Sequence, residues 1–251
     1  MIVHNKIFNV RMELIGSYLH PSGEDEFDEI GIYRDMLDVL AKRLKARIKN
    51  HYQNVILITG GTGSGKSNLA IKLIKTIDPD WDLRENFIYS AKDLAKKLRH
   101  RATASPISLF DEGSVILGSL NFNKKEDKAI ANLFHTMRSL GWTTVICIPD
   151  PDGLNSSVKL NHLTYHLVCP DKPLVDGYDR RGFFEVYTPQ KPQWSKKIYY
   201  KCLAAGIHTK MSKALSEEYE EIKLDKQLAL LDDFIKEFGE DAVIADGEDE
   251  Q

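Results

Sequence analysis

Two short stretches hold the residues whose types and spacing do chemistry. The first runs Gly60-Gly61-Thr62-Gly63-Ser64-Gly65-Lys66-Ser67. It satisfies the pattern glycine, four residues, Gly-Lys-Ser. Glycines let a backbone turn so that its N–H groups face phosphate oxygens, and a helix that follows adds its positive end. A lysine at this place reaches the β- and γ-phosphates, and the serine hydroxyl binds Mg²⁺. The residues expected around a nucleotide are Gly61, Thr62, Gly63, Ser64, Gly65, Lys66, Ser67 and Asn68. ATP and Mg²⁺ are the cofactors this implies.

The second stretch is Pro106 to Glu112, PISLFDE, in which an apolar run ends in two acids. An aspartate at a strand end beside a phosphate loop holds Mg²⁺ through its water shell. A glutamate next to it is placed to take a proton from an attacking water. Asp111 is therefore assigned to the metal with Ser67, and Glu112 to the base. A water-activating acid favours hydrolysis over transfer to a small-molecule acceptor. It also predicts that one strand, at Val145, lies between the loop strand and the acid strand.

The elements that must position these residues are legible in the pattern. Val55 to Thr59 is a β-branched run that predicts a buried strand entering the loop. Leu69, Leu73, Ile74 and Ile77 mark the helix leaving it, with Pro79 just beyond. Asn86–Ser90 reads as a second strand, and Ser90 with Asp93 as a capping box opening the next helix. A helix with Ile130, Leu133, Phe134, Met137 and Leu140 on one face ends at Gly141. Thr143–Pro149 and Leu163–Cys169 complete the strands. This alternation predicts an α/β fold, a mostly parallel sheet with helices on both faces.

Outside that core, Ile32, Met36, Leu40, Leu44 and Ile48 predict a helix whose second half is basic, with Lys42, Arg43, Lys45, Arg47 and Lys49. Gly182–Tyr187 reads as one strand of a hairpin, and Ser212 to Phe238 as a long helix. The expected organisation is an N-terminal part over 1–53, a nucleotide-binding core over 54–170, and a C-terminal appendage over 171–251.

Composition excludes several classes. The chain has 251 residues with 42% hydrophobic and 28% charged, ordinary for a soluble globular protein. Cys147, Cys169 and Cys202 lack metal-ligand spacing and read as buried thiols of a reducing compartment. No apolar run approaches the ~18 residues of a membrane span, and no signal peptide is evident, so a cytoplasmic location is expected. His162 and His166, four apart on a predicted strand, are too widely separated to share one ion. The formal net charge of −3 is unevenly spread. Residues 214–251 carry 14 acids against 3 bases, or −11, which leaves 31 bases against 23 acids, or +8, for residues 1–213. A basic body can meet a polyanion.

The loop GGTGSGKS, the FDE, and then HTMRSLGWTTVICIPDPDGLNSSVK resemble the FtsK–HerA superfamily of P-loop ATPases, and within it the zonula occludens toxin-like, viral and mobile-element members. The resemblance implies a RecA-like core and a ring-forming, homo-oligomeric motor that translocates or packages DNA. It also implies a trans-acting role for Arg138, which falls where such proteins can carry an arginine that touches ATP in a neighbouring subunit. The chain departs from the pattern at Ile148, Pro149 and Asp150, where many relatives have a Gln or Asn that senses the γ-phosphate. NFIYSAKDLAKKLRHR is similar to helicase-loader ATPases of the AAA+ class, which would act as a partner-controlled switch. A nucleotide or small-molecule kinase is the third alternative.

A DNA motor needs sequence-neutral contacts to backbone. Two stretches supply cations for them: Lys96, Lys97, Arg99 and Arg101, and then Lys191, Trp194, Lys196, Lys197 and Lys201, interleaved with Tyr199 and Tyr200.

Overall fold

In a computed structural model, residues 1–22, 26–89, 91–99, 106–111, 124–170, 182–191 and 198–238 are described. The chain divides into two compact units, Met1–Lys210 and Met211–Gln251.

The first unit is built on one ten-stranded sheet in the order β1-β2-β3-β10-β9-β8-β4-β7-β6-β5. Its centre is β4 (Asn54–Thr59), every residue of which is buried. Such a continuous apolar strand fits only where helices cover both faces. On either side lie β7 (Thr143–Ile148) and β8 (Leu163–Val168), both parallel to it. The acid strand β6 (Ile107–Asp111) pairs with β7 rather than with β4. The strand expected at Val145 thus occupies the gap, with Val145 opposite both Ile56 and Leu109. β5 (Phe87–Ile88) closes this edge. It is shorter than the sequence suggests, because Asn86 ends the short helix α3 (Leu83–Asn86), capped by the Asp82 side chain.

Helix α1 spans Met36–Lys49 and packs against α2 (Lys66–Ile77). Three further helices, α4 (Ala91–Arg99), α5 (Lys124–Ser139) and α6 (Ser156–His162), enclose a second core. There Val55 and Leu57 of β4 meet Leu94, Phe134, Met137 and Val158. The end of the segment GLNSSVKL, from Ser156, forms α6, capped by Asn155, whose side chain accepts from Ser157 N at 2.9 Å.

The other half of the sheet is antiparallel for the most part. β9 (Phe183–Gln190) and β10 (Tyr199–Ile207) make the predicted hairpin, and β9 pairs antiparallel with β8. The N-terminal strands β1 (Ile2–Asn5), β2 (Val10–Pro21) and β3 (Phe27–Tyr33) continue it. Ile32, expected at the head of the helical stripe, belongs instead to β3. It pairs with Gly16 on one side and Ala205 on the other, and two ladders outweigh one more helical turn. The second unit contains α7 (Lys213–Phe238), over the range the sequence predicts.

All three cysteines are free and buried. Among the described residues no helix is long and apolar enough to cross a membrane.

Candidate functional site: a phosphate loop at the carboxyl end of the parallel strands

The loop begins where β4 leaves the sheet. Gly60 has φ 145°, and a Cβ there would lie 2.2 Å from the Cys169 carbonyl oxygen, so only glycine fits. Its N–H donates to Pro149 O at 3.2 Å, and Cys169 N donates to Thr59 O at 2.7 Å. The ends of β7 and β8 therefore clamp the first residue of the loop. Pro149 acts here through its carbonyl. The Asp150 side chain accepts from Asp152 N at 2.7 Å and caps the 3₁₀ turn Pro151–Gly153.

Gly65 stands at the N-cap of α2 with φ 98°, and no side chain caps this helix. Its first N–H groups thus have no side-chain acceptor, which is the arrangement that receives an anion. A Cβ at Gly63 or Gly65 would meet nothing within 4 Å, so the cradle is open above the backbone. Lys66 Nζ folds back and donates to Gly60 O at 2.8 Å and Gly61 O at 2.9 Å. Ser64 is buried, and among the described residues neither its Oγ nor Asn68 Oδ1 has a hydrogen-bond partner.

The Ser67 hydroxyl lies 3.0 Å from Asp111 Oδ1 and 3.1 Å from Oδ2, so it donates to a carboxylate 44 positions away. Asp111 is buried at the end of β6. A hydroxyl and a carboxylate beside an anion cradle are hard oxygen ligands of the kind Mg²⁺ prefers. Cys147, opposite Asp111 in the ladder, is wholly buried; burial first, then the Asp111 charge, pushes its thiol well up, so it stays protonated.

The structure thus brings Lys66, Ser67 and Asp111 together with the loop residues 60–68. Glu112 and the DNA candidates Arg101, Trp194, Lys196 and Lys197 lie outside the described residues. Arg138 is exposed on α5 and borders residues 161–164 and Gln53, where β4 and β8 begin. That is the opposite end of the parallel strands from the loop, roughly 16 Å away at ~3.3 Å per residue. Within one chain Arg138 does not join the site. Lys97 corrects an expectation. It is buried, bonded to Asn86 Oδ1 and set 5.9 Å from the Trp142 ring, and burial lowers its pKa. It therefore ties α4 to α3 and is not open to phosphate, whereas Lys96 and Arg99 are exposed.

One supporting contact carries no sequence signal. Thr59 Oγ1, one residue before the loop, is 2.7 Å from His166 Nε2. His166 sits on β8, while His162 ends α6, so the two are not on one strand. Only the pairing of β4 with β8 brings His166 behind the loop.

Strand order, loop and acid strand together define a P-loop nucleoside-triphosphatase fold with one strand inserted between the loop and acid strands, the kind expected from the sequence. No protein-family model matches the chain, nor does any curated protein. Solved structures similar to it include the N-terminal domain of zonular occludens toxin from Neisseria meningitidis. That likeness has 13% identity and a TM-score of 0.38, over 64% of this chain and 96% of the other. The DNA-packaging ATPase of Sulfolobus Turreted Icosahedral Virus is similar at 12% identity and TM-score 0.41, over 63% and 98%. A KaiC-like protein from Pyrococcus horikoshii OT3 is similar at 13% and 0.34, over 62% and 89%. With scores this low, the class rests on the chain's own loop geometry and strand order.

Proposed function

We propose that this protein hydrolyses ATP with Mg²⁺ and couples the reaction to translocation or packaging of DNA as an oligomer, in the manner of FtsK–HerA-type motors. The observation that carries the hydrolytic half is the Ser67 hydroxyl on both oxygens of buried Asp111, at the mouth of an uncapped helix.

In this reading the N–H groups at the start of α2 take the β-phosphate. Lys66, which now rests on two loop carbonyls, exchanges them for β- and γ-phosphate oxygens, a charge-assisted pairing that is the stronger one. Ser67 and Asp111 hold Mg²⁺, which supplies positive charge for the phosphate oxygens when bound. Glu112, next in the chain after Asp111, accepts a proton from the attacking water. Arg138 stands at the far end of the strands, so a part in ATP hydrolysis would require an interface with a neighbouring copy. The coupling to DNA draws on the resemblance of the motifs and on the basic body of the chain.

The test is ATP hydrolysis by the purified protein with and without single- and double-stranded DNA, alongside Glu112→Gln. Hydrolysis should rise several-fold with DNA and fall by about 10²–10⁴ in the variant. Slow hydrolysis indifferent to DNA would favour a partner-controlled switch. Phosphoryl transfer to a small molecule would end the motor reading.

A further inference from the structure

At the amino ends of β4 and β8, away from the phosphate loop, lies a cleft of about 440 Å³. Arg47, His51, Tyr52, Gln53, Arg138 and His162 line it, with no acid among its described lining residues. We infer that this cleft binds the phosphodiester backbone of a single-stranded polynucleotide, with Arg47 and Arg138 on the phosphate and the Tyr52 ring beneath an unpaired base. The inference rests on the reading of a nucleic-acid substrate above, and it places that substrate on residues the motifs do not mark.

Five observations support it. Arg138 is exposed, and its guanidinium has no hydrogen-bond or ion-pair partner among the described residues. Arg47 is pre-set: its Nε donates to Asn54 Oδ1 at 2.5 Å and one terminal nitrogen to Gln53 O at 3.1 Å, which leaves the remaining guanidinium edge for a ligand. The Tyr52 ring is 59% exposed, with the Arg47 guanidinium 5.4 Å from its centroid. A cation beside an open aromatic face is how single strands are held without sequence preference. Lys42, Lys45 and Lys49 stand exposed along α1, which leads to the cleft.

His162 is the fifth. It is only 7% exposed, yet among the described residues its Nε2 has no partner. Gln53 donates its amide to Phe134 O at 3.1 Å, so its Oε1 accepts from His162 Nδ1 at 2.9 Å. In the neutral ring Nε2 is then a bare lone pair. Burial, then His135 and Arg138, hold the ring below its usual pKa. The groups that face it are His135 and Arg138 from α5, and Arg47, His51 and Tyr52 at the end of α1 and just beyond it. Among the described residues none of these groups is a carboxylate, so protonation lacks a counter-charge there until an oxyanion enters. A bound phosphate raises the ring's pKa, binding takes up a proton, and affinity grows as pH falls through the ordinary histidine range.

The experiment is binding of a labelled single-stranded oligonucleotide to the full chain without nucleotide, followed by anisotropy over several salt concentrations and from about pH 7.5 to about pH 5.5. Arg138→Ala should weaken binding and lower the salt slope by about one. Tyr52→Ala should weaken it about tenfold. His162→Gln should abolish the gain at low pH. Arg138 and Tyr52 are exposed, so those two variants test the site even if the His162 variant fails to fold. Unchanged affinity and slope in both, with the parent binding normally, would overturn the inference and leave the DNA motor standing. A parent that binds no DNA would remove both. Loss of hydrolysis in Arg138→Ala with DNA affinity intact would assign the cleft to a neighbouring copy's nucleotide instead, and would overturn it too.

Discussion

His166 shows how a single residue ties the fold to the loop. Its Nε2 meets Thr59 Oγ1 directly before Gly60, and its ring lies edge-on to Tyr200 with centroids 5.2 Å apart. Burial lowers its pKa from 6.5 to about 4. The folded-state value is depressed, so the unfolded chain binds a proton that the folded chain refuses. Stability is then intact above about pH 6.5 and lost as pH falls towards 4, by on the order of 3 kcal/mol from this residue. His162 and His208 are lowered by burial as well and act in the same direction. Denaturant midpoints from pH 7 to pH 4.5 should fall less steeply for His166→Gln than for the parent. Equal slopes would mean that the ring titrates freely in the folded state.

At the scale of elements, the parallel half of the sheet follows from local patterns, while the junction with the N-terminal strands does not. β10 meets β3 through Ala205 opposite Ile32 and Gly206 opposite Tyr33. A Cβ at Gly206 would lie 2.6 Å from Met36 Cβ and 2.7 Å from Phe184 Cζ. Glycine is required here by close approach of α1 to the sheet. Gly206→Val should cost about 1–3 kcal/mol or more through overpacking. Chemical denaturation would register it as a lowered midpoint with little change in slope. A variant as stable as the parent would show that α1 does not press on β10. Nothing in the sequence marks Gly206, because its constraint comes from Met36 and Phe184, far away along the chain.

Over the whole molecule, charge is divided: +8 for residues 1–213 and −11 for the remainder. In the proposed function the basic part would bind nucleic acid electrostatically. About four phosphate contacts would weaken binding roughly a hundredfold between about 50 and about 200 mM salt. A shallow slope in a titration of the full chain would point to contacts other than backbone phosphates. The acidic residues concentrate on and beyond α7, where Glu217, Glu218, Glu220 and Glu221 crowd the first half of the helix.

Much of this protein is determined by local chemistry that any reader of the chain can follow. The glycine spacing, the β-branched run before it and the apolar stripe after it specify strand, loop and helix, because each signal acts within a few residues. The acid at the end of an apolar strand predicts the inserted β7, and the ladder from Thr143 to Cys147 against Ile107 to Asp111 agrees. The contact of Ser67 with Asp111, the bracing of Gly60 by Pro149 and Cys169, and the burial of Lys97 are decided only by tertiary structure. So are His166 behind the loop and the arginine-lined cleft at the other end of the strands. Each depends on which strands lie side by side, and strand order is set by packing across the whole sheet rather than by neighbours in the chain.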